Sequence, residues 1–299
     1  MQTTQQILNI FEGYRMQPTQ IDQYENTGKP ILAEMIDRFV SFNDPIKFAM
    51  LGLPFKSTNI RDKVLSDLPD LGEELTIKNF ETFNNHVKQV YSPGVSITVA
   101  SDGYMFNDVL GVSDYTVQEY RRITEGYRND SSVEIVDIND FFSSPSTSSN
   151  REKIMQQFGY TWEKIEQEML FNPDVQMLYK GMIRFMEEEL ANKTFPSNSQ
   201  LHKAAKKLSR EMMLRNEAYN QLVRKELNDH IRLSMHPSVN NGYKYSFKLI
   251  PGEHTQYSPW HCAIVMNGNE AVTMHRIDAV NAGYKLVYKG KQPYNFVTA

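Results

Sequence analysis

Three short apolar runs alternate with helix-like stretches in the first half of the chain, and this alternation restricts the fold more than any other feature. The runs are Ile46–Leu53, Val95–Ala100 and Val133–Ile138. Between them, Thr76–Val90 places Ile77, Phe80, Phe83, Val87 and Val90 at spacings of three and four, the period of one helix face. Asp114–Tyr127 does the same with Tyr115, Val117, Tyr120 and Ile123, and Ser113 or Asp114 suits the N-cap. Strands alternating with helices predict a parallel sheet, and ligands of such sheets gather at the carboxyl ends of the strands. The loops after Leu53 and Ala100 are therefore the first places to look for chemistry.

The second half reads differently. Phe142–Asn150 (FSSPSTSSN) is Ser-rich and predicts a flexible loop. Helical patterns follow at Arg151–Leu170, Pro173–Ala191 and Ser197–Asp229, with Asn172-Pro173 and Pro196-Ser197 as starts. Strand patterns then take over at Ile231–Met235, Tyr245–Ile250, His261–Met266, Ala271–Ile277 and Lys285–Tyr288, and Asn267-Gly268-Asn269 suits a hairpin turn. The expected architecture is one α/β domain over residues 1–299. It has a mixed, largely parallel Rossmann-like sheet, helices on both faces and a helical insertion around 151–229.

Charge and cysteine use bound the function. With 299 residues, 40% of them hydrophobic, the chain can bury a substantial core. Lys plus Arg number 32 against 36 Asp plus Glu, a net charge of -4, so no global field draws nucleic acid or anionic membrane. Cys262 is the single cysteine and fits a reducing cytoplasm. The start, MQTTQQILNIFEG, lacks the basic and apolar regions of a secretion signal. The most apolar run, Phe48–Phe55, is far too short for ~30 Å of hydrocarbon. A soluble cytoplasmic protein is expected, with no nucleic-acid or membrane partner.

Standard motifs are absent: there is no GxGxxG, GxxxxGK[ST], GxSxG, HExxH or CxxC, and the seven histidines show no ligand spacing, so no metal is expected. Four clusters carry chemistry instead. Leu53-Pro54-Phe55-Lys56-Ser57 brings Lys56 out at the end of the first strand, either as a solvated charge or as a group acting on phosphate or a carbonyl. Ser101-Asp102-Gly103, with Asp108 six residues on, places two carboxylates near one cleft, as an acid–base pair or as a simple Asx-turn. Strand alternation puts Arg232, Ser234 and His236 on one face, and Lys244, Ser246 and Lys248 alternate likewise. Paired through a turn at Ser238–Gly242, they form either a solvated cationic face or, with no acid interspersed, an anion cradle. Ser258-Pro259-Trp260-His261 gives His261 a stiff, partly apolar setting, suited to proton transfer or to a core histidine bonded to backbone. On the helix Ser197–Asp229, Arg215 shares a stripe with Leu208, Met212 and Tyr219. It must pair with an acid such as Glu226 or face an anionic ligand.

In combination, these residues resemble the isonitrile (isocyanide) synthase family, which includes the pyoverdine/paerucumarin-cluster synthases and the fungal dityrosine-formation enzymes. The likeness is carried by Pro54-Phe55-Lys56, Ser101-Asp102-Gly103, Phe106, Asp108, Gly111-Val112, Asp114, Arg215 with Tyr219, Arg232 to Pro237, Lys244 and Pro259-Trp260-His261, and spans Phe48 to Ile264. It implies a cofactor-independent enzyme joining tyrosine or tryptophan to ribulose 5-phosphate, whose C2 becomes the isonitrile carbon. On that implication Lys56, Asp102, Asp108 and His261 are the catalytic candidates. Arg215, Arg232, Ser234, His236, Lys244 and Lys248 would bind the phosphosugar, and Phe106 and Trp260 would line the aromatic slot. Relatives act beside an iron- and 2-oxoglutarate-dependent oxygenase, the expected pathway partner. The competing expectations are a phosphosugar lyase or aldolase with Lys56 as Schiff base, and a non-catalytic phosphosugar-binding regulator.

Overall fold

A computed structural model describes residues 2–16, 18–142, 146–252 and 257–298. Two helices, α1 (Gln2–Tyr14) and α2 (Lys29–Phe42), precede β1 (Ile46–Leu51), α3 (Leu71–Lys88) and β2 (Val95–Ala100). Then come α4 (Gly103–Leu110), α5 (Asp114–Glu125), β3 (Val133–Val136) and α6 (Ile138–Phe141). The helical block is α7 (Thr147–Phe158), α8 (Trp162–Phe171), α9 (Pro173–Leu190) and α10 (Asn198–Glu226). The chain ends with β4 (Ile231–Ser234), β5 (Tyr245–Ser246), β6 (Ala263–Asn267), β7 (Glu270–Met274), α11 (Arg276–Asn281), β8 (Lys285–Lys289) and β9 (Gln292–Val297).

The main sheet has the order β3-β2-β1-β4-β5, with every neighbouring pair parallel. The chain lays down β1, β2 and β3 outward along one side, crosses through the helical block, and returns to place β4 against the free edge of β1. The order therefore reverses between β1 and β4, where the crossovers leave a crevice at the carboxyl ends. β1 is covered on both sides, which explains the continuous apolar run Phe48–Leu51 within it. Phe48 points to one face, into an aromatic cluster with Phe11 of α1 (centroids 6.0 Å), Phe83 of α3 (5.6 Å) and, through Phe83, Phe247 (5.4 Å). Leu51, of opposite parity, faces the side where α10 packs. There the Tyr219 hydroxyl of α10 donates to the Ser101 carbonyl at the end of β2 (2.7 Å).

Local chemistry sets the helix starts. Asp70 and Glu73 form a capping box on α3: the Asp70 carboxylate accepts from the Gly72 N–H (2.9 Å), and Glu73 accepts from the Asp70 N–H (2.9 Å). Ser113 caps α5 by accepting from the Thr116 N–H (3.1 Å), as the sequence predicts.

Several expectations need correction. The mixed pairing lies outside the main sheet, in a second sheet of order β7-β6-β9-β8 whose outer pairs are antiparallel and whose β6/β9 pair is parallel. A 3-10 turn at Pro259–His261 swings the chain out of the first sheet before β6 begins. β5 is shorter than the predicted strand, and it runs parallel to β4 instead of forming a hairpin. The loop between them folds back on itself through Asn240, which sits in the left-handed region (φ 52°) and accepts from the Ser246 N–H (2.6 Å). The helical stretch 151–170 breaks into α7 and α8, with Thr161 capping α8. Of the Ser-rich stretch, residues 143–145 lie outside the described ones and 147–150 already belong to α7. The largest apolar cluster runs from Ile7 to Ala271 and draws on both sides of that stretch. A smaller one, Leu65, Ala263, Val265, Ala279 and Phe296, underlies the second sheet.

Candidate active site

A cavity of about 470 Å³ opens at the carboxyl ends of β1 and β4, at the reversal of strand order. The backbone leaving β1 is bent to form its floor. Leu53 adopts φ 54°, a left-handed conformation that costs a branched residue energy and is held by its surroundings. Its carbonyl accepts from the Ser101 hydroxyl (3.0 Å). At Gly52 a Cβ would lie 2.9 Å from the Trp260 ring, so glycine is what lets Trp260 close the floor.

One end of the cavity is cationic. Arg232 and Ser234 alternate on β4, His236 follows, Lys244 stands before β5 and Arg224 comes from α10. None of these cations pairs with a carboxylate among the described residues, and the buried Nη1 of Arg232 has no hydrogen-bond partner. Burial, reinforced by Arg224, holds the Arg232 guanidinium below its ordinary range. Burial together with Arg232 and Arg224 does the same to Lys244, and burial with Lys244 lowers His236. Clustered cations with no acid beside them are costly in a site like this, and an anion of two charges relieves that cost.

Much of the remaining lining is apolar: Phe106 and Leu110 of α4, Met182 and Phe185 of α9, Met212 of α10, and Trp260. Along α10, Met212, Asn216, Asn220 and Arg224 follow one another at intervals of four, so this face grades from apolar through amide to cationic over roughly 18 Å of axis.

Groups fit for proton transfer line the same cavity. Asp102 occupies the N-cap position of α4 but its side chain does not cap the helix; it faces the cavity. Its sealed Oδ1 has no partner, and burial raises the carboxyl to about 6. His261 packs against Phe185 (centroids 5.2 Å) and is lowered to about 4, chiefly by burial, so it is neutral near pH 7. Glu189, at the end of α9, is buried and lowered instead. Burial would raise it, but Lys63, His261 and the Ser57 hydroxyl outweigh that effect. Carboxylates pushed in opposite directions in one cavity are suited to different roles.

Asp102, His261, Arg232, Ser234, His236, Lys244, Phe106 and Trp260 thus converge as the sequence predicts. Ser234 spends its hydroxyl locally, donating to the His236 carbonyl (3.0 Å) in the turn that delivers His236. Four predicted residues stand elsewhere. Lys56 is fully buried behind the cavity wall, 2.9 Å from both Asp70 and Glu73, and donates to the Pro259 carbonyl (3.0 Å). Burial alone would lower its amine, yet the two carboxylates raise it above the usual lysine range, the reverse of what a Schiff-base amine needs. Asp108 and Arg215 consume each other: Arg215 donates to both Asp108 oxygens (2.6 and 3.1 Å) and to Glu211 (2.8 Å), while Arg151 reaches Asp108 from α7 (3.0 Å). Arg215 therefore meets Asp108 and not Glu226, and the pair ties α4 to α10. Lys248 lies toward α1 and α3, its N–H bonded to the Tyr14 carbonyl (2.8 Å) and its carbonyl to the Asn79 amide (2.8 Å).

Sequence reasoning missed Arg224 and Glu189. The interval-of-four series on α10 signals Arg224. Glu189, in a run of three glutamates, carries no signal until the fold brings the loop after Phe55 against the end of α9.

Fold and site define a parallel α/β protein with a cation-walled cavity at its switch point. The chain belongs to the family described as pyoverdine/dityrosine biosynthesis protein, which it matches over residues 36–287. It is 28% identical over 267 residues to an L-tryptophan isonitrile synthase of Fischerella ambigua, covering 88% of this chain and 81% of that one. An L-tyrosine isonitrile synthase of Pseudomonas aeruginosa is 26% identical over 269 residues, covering 87% and 82%. The fold is that of the PvcA crystal structure from Pseudomonas aeruginosa, with a TM-score of 0.89 at 23% identity over 99% of this chain and 100% of that chain. No helix among the described residues is long and apolar enough to cross a membrane.

Proposed function

We propose that this chain is an amino-acid isonitrile synthase that condenses tyrosine or tryptophan with ribulose 5-phosphate. The observation that carries the reading is the unpaired cationic end, Arg224, Arg232 and Lys244, set in one cavity with an apolar wall and two proton-transfer groups. The phosphate is held by the cations and the aromatic side chain lies against Phe106, Met182 and Met212, which brings the amine and the ketone together beside Asp102 and His261. As the substrate nitrogen forms its bond to the ketone carbon, its proton passes to His261, and the Asp102 carboxyl protonates the carbonyl oxygen. The result is a carbinolamine, an imidazolium and a carboxylate, with atoms and charge conserved. The placement of Lys56 in a buried ion pair disfavours the aldolase alternative.

The test is incubation with ribulose 5-phosphate labelled at C2 and each aromatic amino acid, followed by tetrazine trapping and mass spectrometry. A labelled isonitrile from tyrosine or tryptophan is expected. Unchanged substrates with every aromatic amino acid would overturn the proposal.

A further inference from the structure

Glu189 is the most heavily bonded side chain at the cavity, and the mechanism above does not use it. Its Oε1 accepts from the Ser57 hydroxyl (2.7 Å) and Lys63 Nζ (3.0 Å). Its Oε2 accepts from the Ser57 hydroxyl (2.8 Å) and from the Thr58 N–H and hydroxyl (2.8 and 3.0 Å). The carboxylate sits in the last turn of α9, where the helix dipole disfavours negative charge, and this turn contains no basic residue. The loop from Ser57 to Lys63 supplies the compensation, and it also satisfies the helix end, with the Asn59 amide donating to the Glu188 carbonyl (2.9 Å).

The same loop is attached to the segment that carries His261. The Ser57 N–H donates to the Trp260 carbonyl (2.8 Å), one residue before the imidazole. Phe185, one turn before Glu189 on α9, packs against the imidazole and lies under Lys63 (5.0 Å). A buried anion held at the unfavourable end of a helix, and tied to the support of a cavity histidine, is more than a loop anchor requires.

We propose that Glu189 is the positioning residue of His261: it fixes the floor beneath the imidazole and supplies the negative charge that stabilises the imidazolium when His261 accepts the substrate proton. The proposal rests on the reading of His261 as the base. The charged and titratable groups acting on His261 are Glu189 from α9, Lys63 and Lys56 from the loop after β1, and His236 from the loop after β4. Only Glu189 favours the charged imidazole. Around Glu189 itself stand Lys63 and His261, and His275 faces the same cluster.

The experiment is a histidine-labelled NMR titration of the full chain, with the His261 signal identified by its loss in His261→Asn. In Glu189→Gln the His261 midpoint is expected to fall below the wild-type one; in Lys63→Met, which removes the opposing cation, it is expected to rise. The turnover of Glu189→Gln is expected to fall at least about tenfold, with both KM values within about twofold. Opposite shifts of the two variants cannot come from a loosened loop alone. An unmoved midpoint in both, or shifts of the same sign, would overturn the proposal. The midpoints are read without substrate, so failure to find isonitrile leaves this test intact. If Glu189→Gln does not fold, Glu189→Asp, which keeps the charge but draws it back from the loop, takes its place: the His261 midpoint is expected to fall, and an unmoved midpoint would overturn the proposal.

Discussion

Two charged regions flank the cavity wall, one sealed and one partly open to solvent, and they are built on opposite principles. Around Lys56 the charges are closed on themselves: Asp70, Glu73 and Lys56 share 2.9 Å contacts, and Glu73 also accepts from the Tyr120 hydroxyl (2.9 Å). The same carboxylates cap α3, so this cluster fixes where the helix begins relative to β1. Around Arg232 the charges are open: burial and Arg224 lower Arg232, burial with Arg232 and Arg224 lowers Lys244, and no acid among the described residues answers them. A lysine in the first region is locked between carboxylates, whereas a lysine in the second has no carboxylate partner among the described residues, although either reads the same in one dimension. Whether a cation is neutralised by the protein itself separates the two.

The sharpest way to break this comparison is to remove a cation from each. Lys56→Met strands two buried carboxylates and is expected to cost roughly 3–5 kcal/mol of stability, read by denaturant unfolding. Stability within about 1 kcal/mol of wild type would show that the cluster is not closed in the way described.

Asp102 belongs to the open region, and its removal should separate stability from activity. Asp102→Asn is expected to lower turnover by at least about a hundredfold, the usual scale for a lost proton donor. Its folded value of about 6 lies above the ordinary 3.8, so the native state keeps this proton to higher pH than the unfolded chain does. Wild-type stability therefore falls as pH rises from about 4 to about 6, and the loss persists above that range. At pH 7 the variant should be more stable than wild type by on the order of 1–3 kcal/mol, a difference that fades below pH ~4. A variant that is less stable at pH 7 would place Asp102 among the structural acids.

Next in size is Arg232→Lys, which keeps the charge and loses the planar fork. We expect the KM for ribulose 5-phosphate to rise at least about tenfold, some 1.4 kcal/mol, with the amino-acid KM little changed. Equal changes in both would argue for a bracing role. The smallest effect belongs to His236→Asn: burial and Lys244 hold this imidazole below its ordinary range, so the weakening of phosphosugar binding should be roughly threefold near pH 5 and shrink toward pH 7 as the wild-type imidazole loses its charge. A pH-independent effect would show that His236 contributes shape alone.

Periodicity made the layout of the molecule legible: β1, β2, β3 and the helices around them follow from spacings of two and three to four, and the α10 pattern predicts a long helix correctly. Which cations were partnered was not legible, because partners come from distant segments. Lys56 meets Asp70 and Glu73 only once the capping box folds over it, and Arg215 meets Asp108 across more than a hundred residues of chain. The antiparallel reading of β4 and β5 failed because the Asn240 turn returns the chain through a side-chain bond that alternation does not encode. β9 and α1 are short amphipathic pieces whose role appears only against their neighbours.

The central claim, that the open cations await a phosphate, is tested most directly by comparing the unfolding midpoints of wild type and Arg232→Met with and without ribulose 5-phosphate. Without ligand the variant should be at least as stable as wild type, because a buried unpaired charge has been removed. With ligand the wild-type midpoint should rise as mass action requires, and the variant's should rise far less. A variant that is less stable alone and responds to the ligand as wild type does would contradict the account.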